Sequence, residues 1–143
     1  MKKRITQIEN EYANLWYYPE TGIIHHQFLK PISSQEFQSV LMTGLELMKK
    51  HGAQKWLSDD RLNSVLPPED YDWSVVYWEP LAIAAGWRYW AVLPPIKTRG
   101  KINMNRITDG VDSRRRVHVE IFTDFDPAWQ WLVEQGNSEV RNK

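Results

Sequence analysis

The chain has no cysteine among its 143 residues, which excludes disulfides, thiolate metal sites and thiol catalysis. Reducing and oxidising compartments both tolerate such a chain. Net charge is also missing: 18 basic side chains balance 18 acidic ones, so the chain as a whole is not built as a polycation for nucleic acid or membrane. Any electrostatic recognition has to be local. No apolar run reaches membrane length, and Ile5 to Asn10, which follow the basic Met1-Lys2-Lys3-Arg4, do not make the apolar core of a secretion signal. The expectation is a cytoplasmic protein with no membrane span. A Gly-rich phosphate loop, an RNA-stacking signature and a local Ser–His–Asp pairing are absent too. With no catalytic signature, the chain reads as non-enzymatic, with no cofactor, no metal site and no nucleic-acid partner.

What is present is enough for one core, since 42% of the residues are hydrophobic and 13% aromatic. Glu11 to Tyr18 and Ile23 to Leu29 flank Pro19-Glu-Thr-Gly22 and predict a β-hairpin. Ser33 and Glu36 have capping-box spacing. Phe37, Val40, Leu41, Leu45 and Met48 then recur at helical intervals, and Gly52 ends the helix. Lys55 to Asp59 is a strand. Pro67 or Pro68 opens a second helix with Trp73, Val76, Tyr77, Leu81 and Ala84 as its buried stripe, and Pro80 predicts a kink near Tyr77 before Gly86. Arg88 to Leu93 and Val117 to Thr123 read as strands, with a short helix between Lys97 and Gly110. Asp126-Pro127 caps a last helix that Gly136 closes. Residues 1–10 form an N-terminal extension, 11–136 one α/β domain and 137–143 a frayed tail. Its sheet is mixed and five-stranded, starting from a β-hairpin and continuing in βα units with about four helices.

Ligands of open α/β sheets gather beyond the carboxyl ends of the strands, which draws attention to Asp59, Asp60 and Arg61. Two adjacent carboxylates suit Mg2+ or acid–base work, but consecutive residues point in different directions and loop acids commonly cap turns. Asp124 and Asp126 end another strand in the same way. His25 and His26 are neighbours on a strand, face opposite ways and so do not share a metal; His51 and His118 read as packing or solvent residues. Lys97, Arg99, Lys101, Arg106 and Arg114 to Arg116 set seven cations against Asp109 and Asp112. Of these, Lys97 and Arg99 follow a strand end and extend the rim that carries Asp59 and Asp60. Among the eight tryptophans most read as core. Trp16, Tyr17, Tyr18, Trp78 and Trp87 are the candidates for an exposed aromatic surface, favouring a homodimer that covers the edge strand.

Tyr17-Tyr-Pro-Glu-Thr-Gly-Ile-Ile24, Lys55-Trp-Leu-Ser-Asp-Asp-Arg61, Pro68-Glu-Asp70 with Trp73, and Ala84-Ala-Gly-Trp-Arg-Tyr-Trp-Ala-Val-Leu-Pro94 resemble the small bacterial STAS/SEC14-type, SpoIIAA-like proteins. The resemblance implies the anti-sigma-factor-antagonist fold and a non-catalytic regulatory or binding role. Relatives that act as phospho-switches carry an Asp-Ser-Ser-Gly-like turn between the third strand and second helix; here Ser58 and Ser64 occupy that region outside any such motif. The first functional expectation is therefore a STAS-like domain whose strand-end face, with Asp59, Asp60, Arg61, Lys97 and Arg99, meets a protein partner or a small anion. The alternative is a small lipid or apolar-ligand binder with an aromatic-lined pocket between helix and sheet.

Overall fold

The computed structural model describes residues 3–96 and 116–136. Six strands lie side by side in sequence order: β1 Ile5–Glu9, β2 Ala13–Tyr18, β3 Ile23–Phe28, β4 Lys55–Asp59, β5 Tyr89–Leu93 and β6 His118–Ile121. β1, β2 and β3 pair antiparallel, and β3 to β6 run parallel. The hairpin expected around Pro19 to Gly22 is β2–β3, with Tyr18 opposite Ile23.

Six strands replace the expected five because residues 1–10 are not merely an extension. Asn10 Oδ1 accepts the backbone N–H groups of Tyr12 and Ala13 at 2.8 and 2.9 Å. That side-chain turn folds Ile5–Glu9 back along β2. β2 is consequently paired on both sides, and the open edge that motivated a covering homodimer belongs to another strand.

The described residues form three helical rods. α1 is Ser34–His51, with Ser33 Oγ bonded to the Glu36 carboxylate and Gly52 closing it in the left-handed region at φ 67°, its N–H donating to the Met48 carbonyl. The second rod joins α2 Pro68–Trp73, a π-helical turn Ser74–Trp78 and α3 Glu79–Ala85. α4 Phe125–Glu134 is the third. The short helix expected between Lys97 and Gly110 and the tail 137–143 lie outside the described residues. Asp126 does not take the capping position; Asp124 does, placing Asp126 and Pro127 inside the first turn.

The expected buried stripe of the second rod is also corrected. Val76, Tyr77 and Leu81 are exposed, while Trp78, Glu79, Ala82 and Ile83 are buried. Pro80 has no N–H to give the turn before it and its ring crowds that turn's carbonyl. The chain answers with the π turn, in which the Glu79 N–H reaches back to the Ser74 carbonyl. One extra residue in a turn rotates everything after it by roughly 100°, so the apolar face of α3 moves by one position along the sequence.

Alternation along the strands sends side chains to two separate cores. On one face Leu15, Tyr17, Ile24, Phe28 and Trp56 pack with α1, α3 and Trp87. On the other, Trp16, Tyr18, Ile23, Leu57, Tyr89, Ala91 and Leu93 pack with Ala128 and Leu132 of α4. Trp16, Tyr17, Tyr18, Trp78 and Trp87 therefore do not form an exposed aromatic surface; all five are buried within the chain.

Gly44 sets how closely α1 approaches the sheet. A Cβ added there would fall well inside contact distance of Cη2 and Cζ3 of the buried Trp56 ring. Alanine ordinarily stabilises a helix interior by about 1 kcal/mol relative to glycine. Here overpacking outweighs propensity, and Gly44→Ala is expected to lower unfolding free energy by about 1–3 kcal/mol. Urea titration followed by tryptophan emission checks this; a Gly44→Ala protein more stable than the parent contradicts the packing argument.

Candidate functional site

The parallel strands β3, β4 and β5 end together at Phe28, Asp59 and Leu93, and the register places His26 opposite Ser58 and Ser58 opposite Val92. Between this end of the sheet and the rods formed by α1 and α2–α3 lies a cavity of about 340 Å³. That volume is within the range of small-molecule sites. Trp56, Trp78, Trp87 and Trp90 all line it, with Phe28, Phe37 and Leu41 completing the apolar wall and Asp60, Asn63 and Val65 on the turn that follows β4.

Each tryptophan leans on the next. Ring centroids are separated by 5.2 Å from Trp56 to Trp78, 5.1 Å from Trp78 to Trp87 and 5.4 Å from Trp87 to Trp90, with interplanar angles of 79°, 67° and 59°. These inclined contacts suit the ring quadrupoles, edge against face. Three indole N–H groups are tied to the protein: Trp78 to the Leu41 carbonyl at 2.7 Å, Trp90 to Ser58 Oγ at 2.8 Å and Trp56 to His26 Nδ1 at 3.0 Å. The buried Trp87 N–H has no acceptor among the described residues.

Donation from Trp56 decides the histidine tautomer. Because His26 Nδ1 accepts the indole N–H, the imidazole proton is assigned to Nε2, which donates to Asp60 Oδ1 at 2.8 Å. An indole, an imidazole and a carboxylate thus form one directed chain from the buried core to the cavity. Asp60 is fixed from behind as well. Its backbone N–H donates to the Leu93 carbonyl at 2.9 Å, and its own carbonyl accepts the Asn63 N–H at 3.0 Å, making the tight turn that carries Asn63 and Val65.

Asp59 faces the opposite side of the sheet. Its two oxygens accept from Nε and Nη2 of Arg61, each at 2.9 Å, in a two-pronged pair whose hydrogen bonds hold the guanidinium above its ordinary pKa. The Asp59–Arg61 pair borders an open recess of about 730 Å³ shared with Arg4, Trp16, Tyr18 and His25. His25 is buried there, Nδ1 lying 3.0 Å from the Tyr18 hydroxyl and Nε2 lacking a hydrogen-bond partner among the described residues. Burial pushes its pKa down to about 3, in spite of the nearby Asp59 carboxylate.

The strand-end residues expected to share one face are therefore divided. Asp60 enters the tryptophan-lined cavity, Asp59 and Arg61 belong to the other side, and Lys97 and Arg99 lie outside the described residues. His25 and His26 do face opposite ways, as the strand alternation requires. The pairing of His26 with Asp60, 34 residues apart, was not visible in local spacing, and neither were Ser58 and Trp90 as lining residues, since all depend on strand register. Among the described residues no group of three or more His, Asp and Glu could hold a metal ion, and no helix is long and apolar enough to cross a membrane. No protein-family model, curated protein or solved structure matches the chain.

The buried His25 links stability to pH. In the unfolded chain it binds a proton near pH 6.5, whereas in the folded chain it does so only near pH 3. Below pH 6.5 the unfolded state holds the extra proton, so stability falls as pH drops towards 3. Between pH 7 and pH 5 this group removes about 2 kcal/mol. Denaturant midpoints at these two pH values should show that loss in the parent and a markedly flatter dependence in His25→Phe; equal slopes in both proteins would remove His25 as the cause.

Proposed function

We propose that the chain is a binding protein for a small, largely apolar, planar ligand that enters the cavity beneath α1 and the α2–α3 rod. One observation carries this reading: four tryptophans converge on a cavity of about 340 Å³ at the parallel strand ends, with the Trp87 N–H left without an acceptor among the described residues. A buried donor without a partner is costly, and a ligand acceptor would satisfy it. Rigid aromatic rings supply large contact area for planar molecules with little side-chain entropy to lose.

His26 does not read as a general base here. Both ring nitrogens are engaged, one by the Trp56 N–H and the other through its own proton on Asp60. A base needs a free lone pair aimed at the substrate, so the imidazole acts as a strut and binding is favoured over turnover. The STAS-like reading keeps support from the architecture, in that β3 to β6 are successive parallel strands in chain order. Within such a domain a ligand-filled cavity, in place of a phosphorylated serine, would be the regulated element.

N-phenylnaphthylamine, an uncharged fluorophore built of two flat aromatic ring systems, provides the test. It is expected to bind with one-to-one stoichiometry, its emission rising as tryptophan emission is quenched. Val65→Trp, which fills the mouth from a residue that is itself half-exposed, should weaken binding about tenfold or more, equivalent to about 1.4 kcal/mol. Val76→Trp, on the outer face of the rod and away from the cavity, serves as control. Absence of saturable binding, or equal affinity in the Val65→Trp and parent proteins, refutes the proposal.

A further inference from the structure

We infer that the ligand of the tryptophan-lined cavity is an organic cation whose charged head sits against Asp60. This deepens the small-ligand reading and rests on it. Two adjacent carboxylates are treated differently by the fold. Asp59 is buried and neutralised by the two-pronged Arg61 contact. Asp60, with its side chain 24% exposed, has His26 as its ion-pair partner among the described residues. That partner is not a cation in this geometry. Protonating His26 Nδ1 would set two N–H donors, imidazolium and Trp56 indole, against each other across 3.0 Å. The neutral tautomer satisfies Oδ1 with a hydrogen bond and brings no charge to the carboxylate, which has no Lys or Arg ion-pair partner among the described residues.

A carboxylate at the edge of an apolar cavity gains most from a cation that enters with the ligand. The aromatic wall beside it suits such a cation, with Trp90 the half-buried ring and Trp56, Trp78 and Trp87 buried in series with it. Trp56 and Trp90 follow each other across β4 and β5 in the same register, and Trp78 and Trp87 continue the inclined series. Aromatic rings beside a carboxylate recognise alkylated ammonium groups through ring quadrupole and charge together, and the buried Glu79 adds a second carboxyl group to the lining of the same cavity. A neutral molecule of the same shape would gain the apolar contact and leave Asp60 unanswered.

Choline and neohexyl alcohol, its uncharged carbon isostere, separate charge from shape. In the parent protein, competition against N-phenylnaphthylamine should show choline binding at least tenfold more tightly than the alcohol, and in Asp60→Asn that ratio should fall severalfold. If the alcohol competes as well as choline, the cation inference is overturned while the cavity reading stands on the fluorophore's own binding. If fluorophore, choline and alcohol all fail to bind, both are overturned. The choline-to-alcohol comparison uses the parent protein alone, so the inference remains falsifiable even where Asp60→Asn does not fold.

Discussion

Everything distinctive in this molecule follows from a sheet that is covered on both faces and therefore obeys strict alternation along its central strands. With β3 and β4 paired in parallel and each packed between layers, neighbouring residues have no choice but to enter different environments. His25 goes to the α4 side and His26 to the α1 side. Asp59 and Asp60 separate in the same way, one onto Arg61 and the other into the cavity. Two dipeptides that look like doubled functional groups in the sequence are in fact one residue for each of two faces. The register then brings the odd partners together, since His26 is level with Ser58 and so lies one step from the turn that carries Asp60.

The polar content of the tryptophan-rich core obeys a second constraint. Indoles are large enough to fill a small domain but each brings an N–H that must be satisfied when buried. Three find acceptors of three different kinds, a helix carbonyl, a serine hydroxyl and an imidazole nitrogen. The imidazole is the informative choice. A carbonyl in that place would have ended the chain of hydrogen bonds, whereas a histidine passes orientation onward to Asp60. Packing and the proposed recognition thereby share one residue, and a change at Gly44 that moves Trp56 would reach the carboxylate through His26.

Much of the architecture was legible in the sequence because it is written in short-range periodicity. The hairpin, α1 with Ser33 at its N-cap and closing Gly52, and the bounds of β4 follow from apolar spacing and turn residues, and the structure agrees with them; β5 starts one residue later than expected, at Tyr89, and the Ser33 side chain bonds Glu36 without capping a backbone N–H. β1 escaped because its pattern is half-exposed and its turn depends on the Asn10 side chain rather than on glycine or proline. The face of the second rod escaped because a period of 3.6 residues does not hold across a π turn. Pro80 was read as a kink near Tyr77, and the real consequence was a rotation that put Tyr77 in solvent and Trp78 in the core. The candidate site was legible only in part. Asp60 was named, and the opposite facing of the histidines was deduced, but His26 and Asp60 meet across 34 residues through parallel register, which no local spacing encodes.

Persistence of a cavity in so aromatic a core calls for a physical reason, since apolar interiors ordinarily close to high density. The rings are the reason. A leucine-lined space can shrink by rotamer changes, but an indole held by its N–H to a fixed acceptor and by its edge to a neighbouring ring has nowhere to rotate without losing both contacts. Trp56 is further confined by Gly44 of α1, which leaves room for the ring and for nothing larger. The walls are thus set when the chain folds, and the proposed ligand would meet side chains whose ordering cost has already been met in folding. Collapse would have to break the Trp56–His26–Asp60 chain, so the interactions that aim Asp60 into the cavity are also those that hold the cavity open.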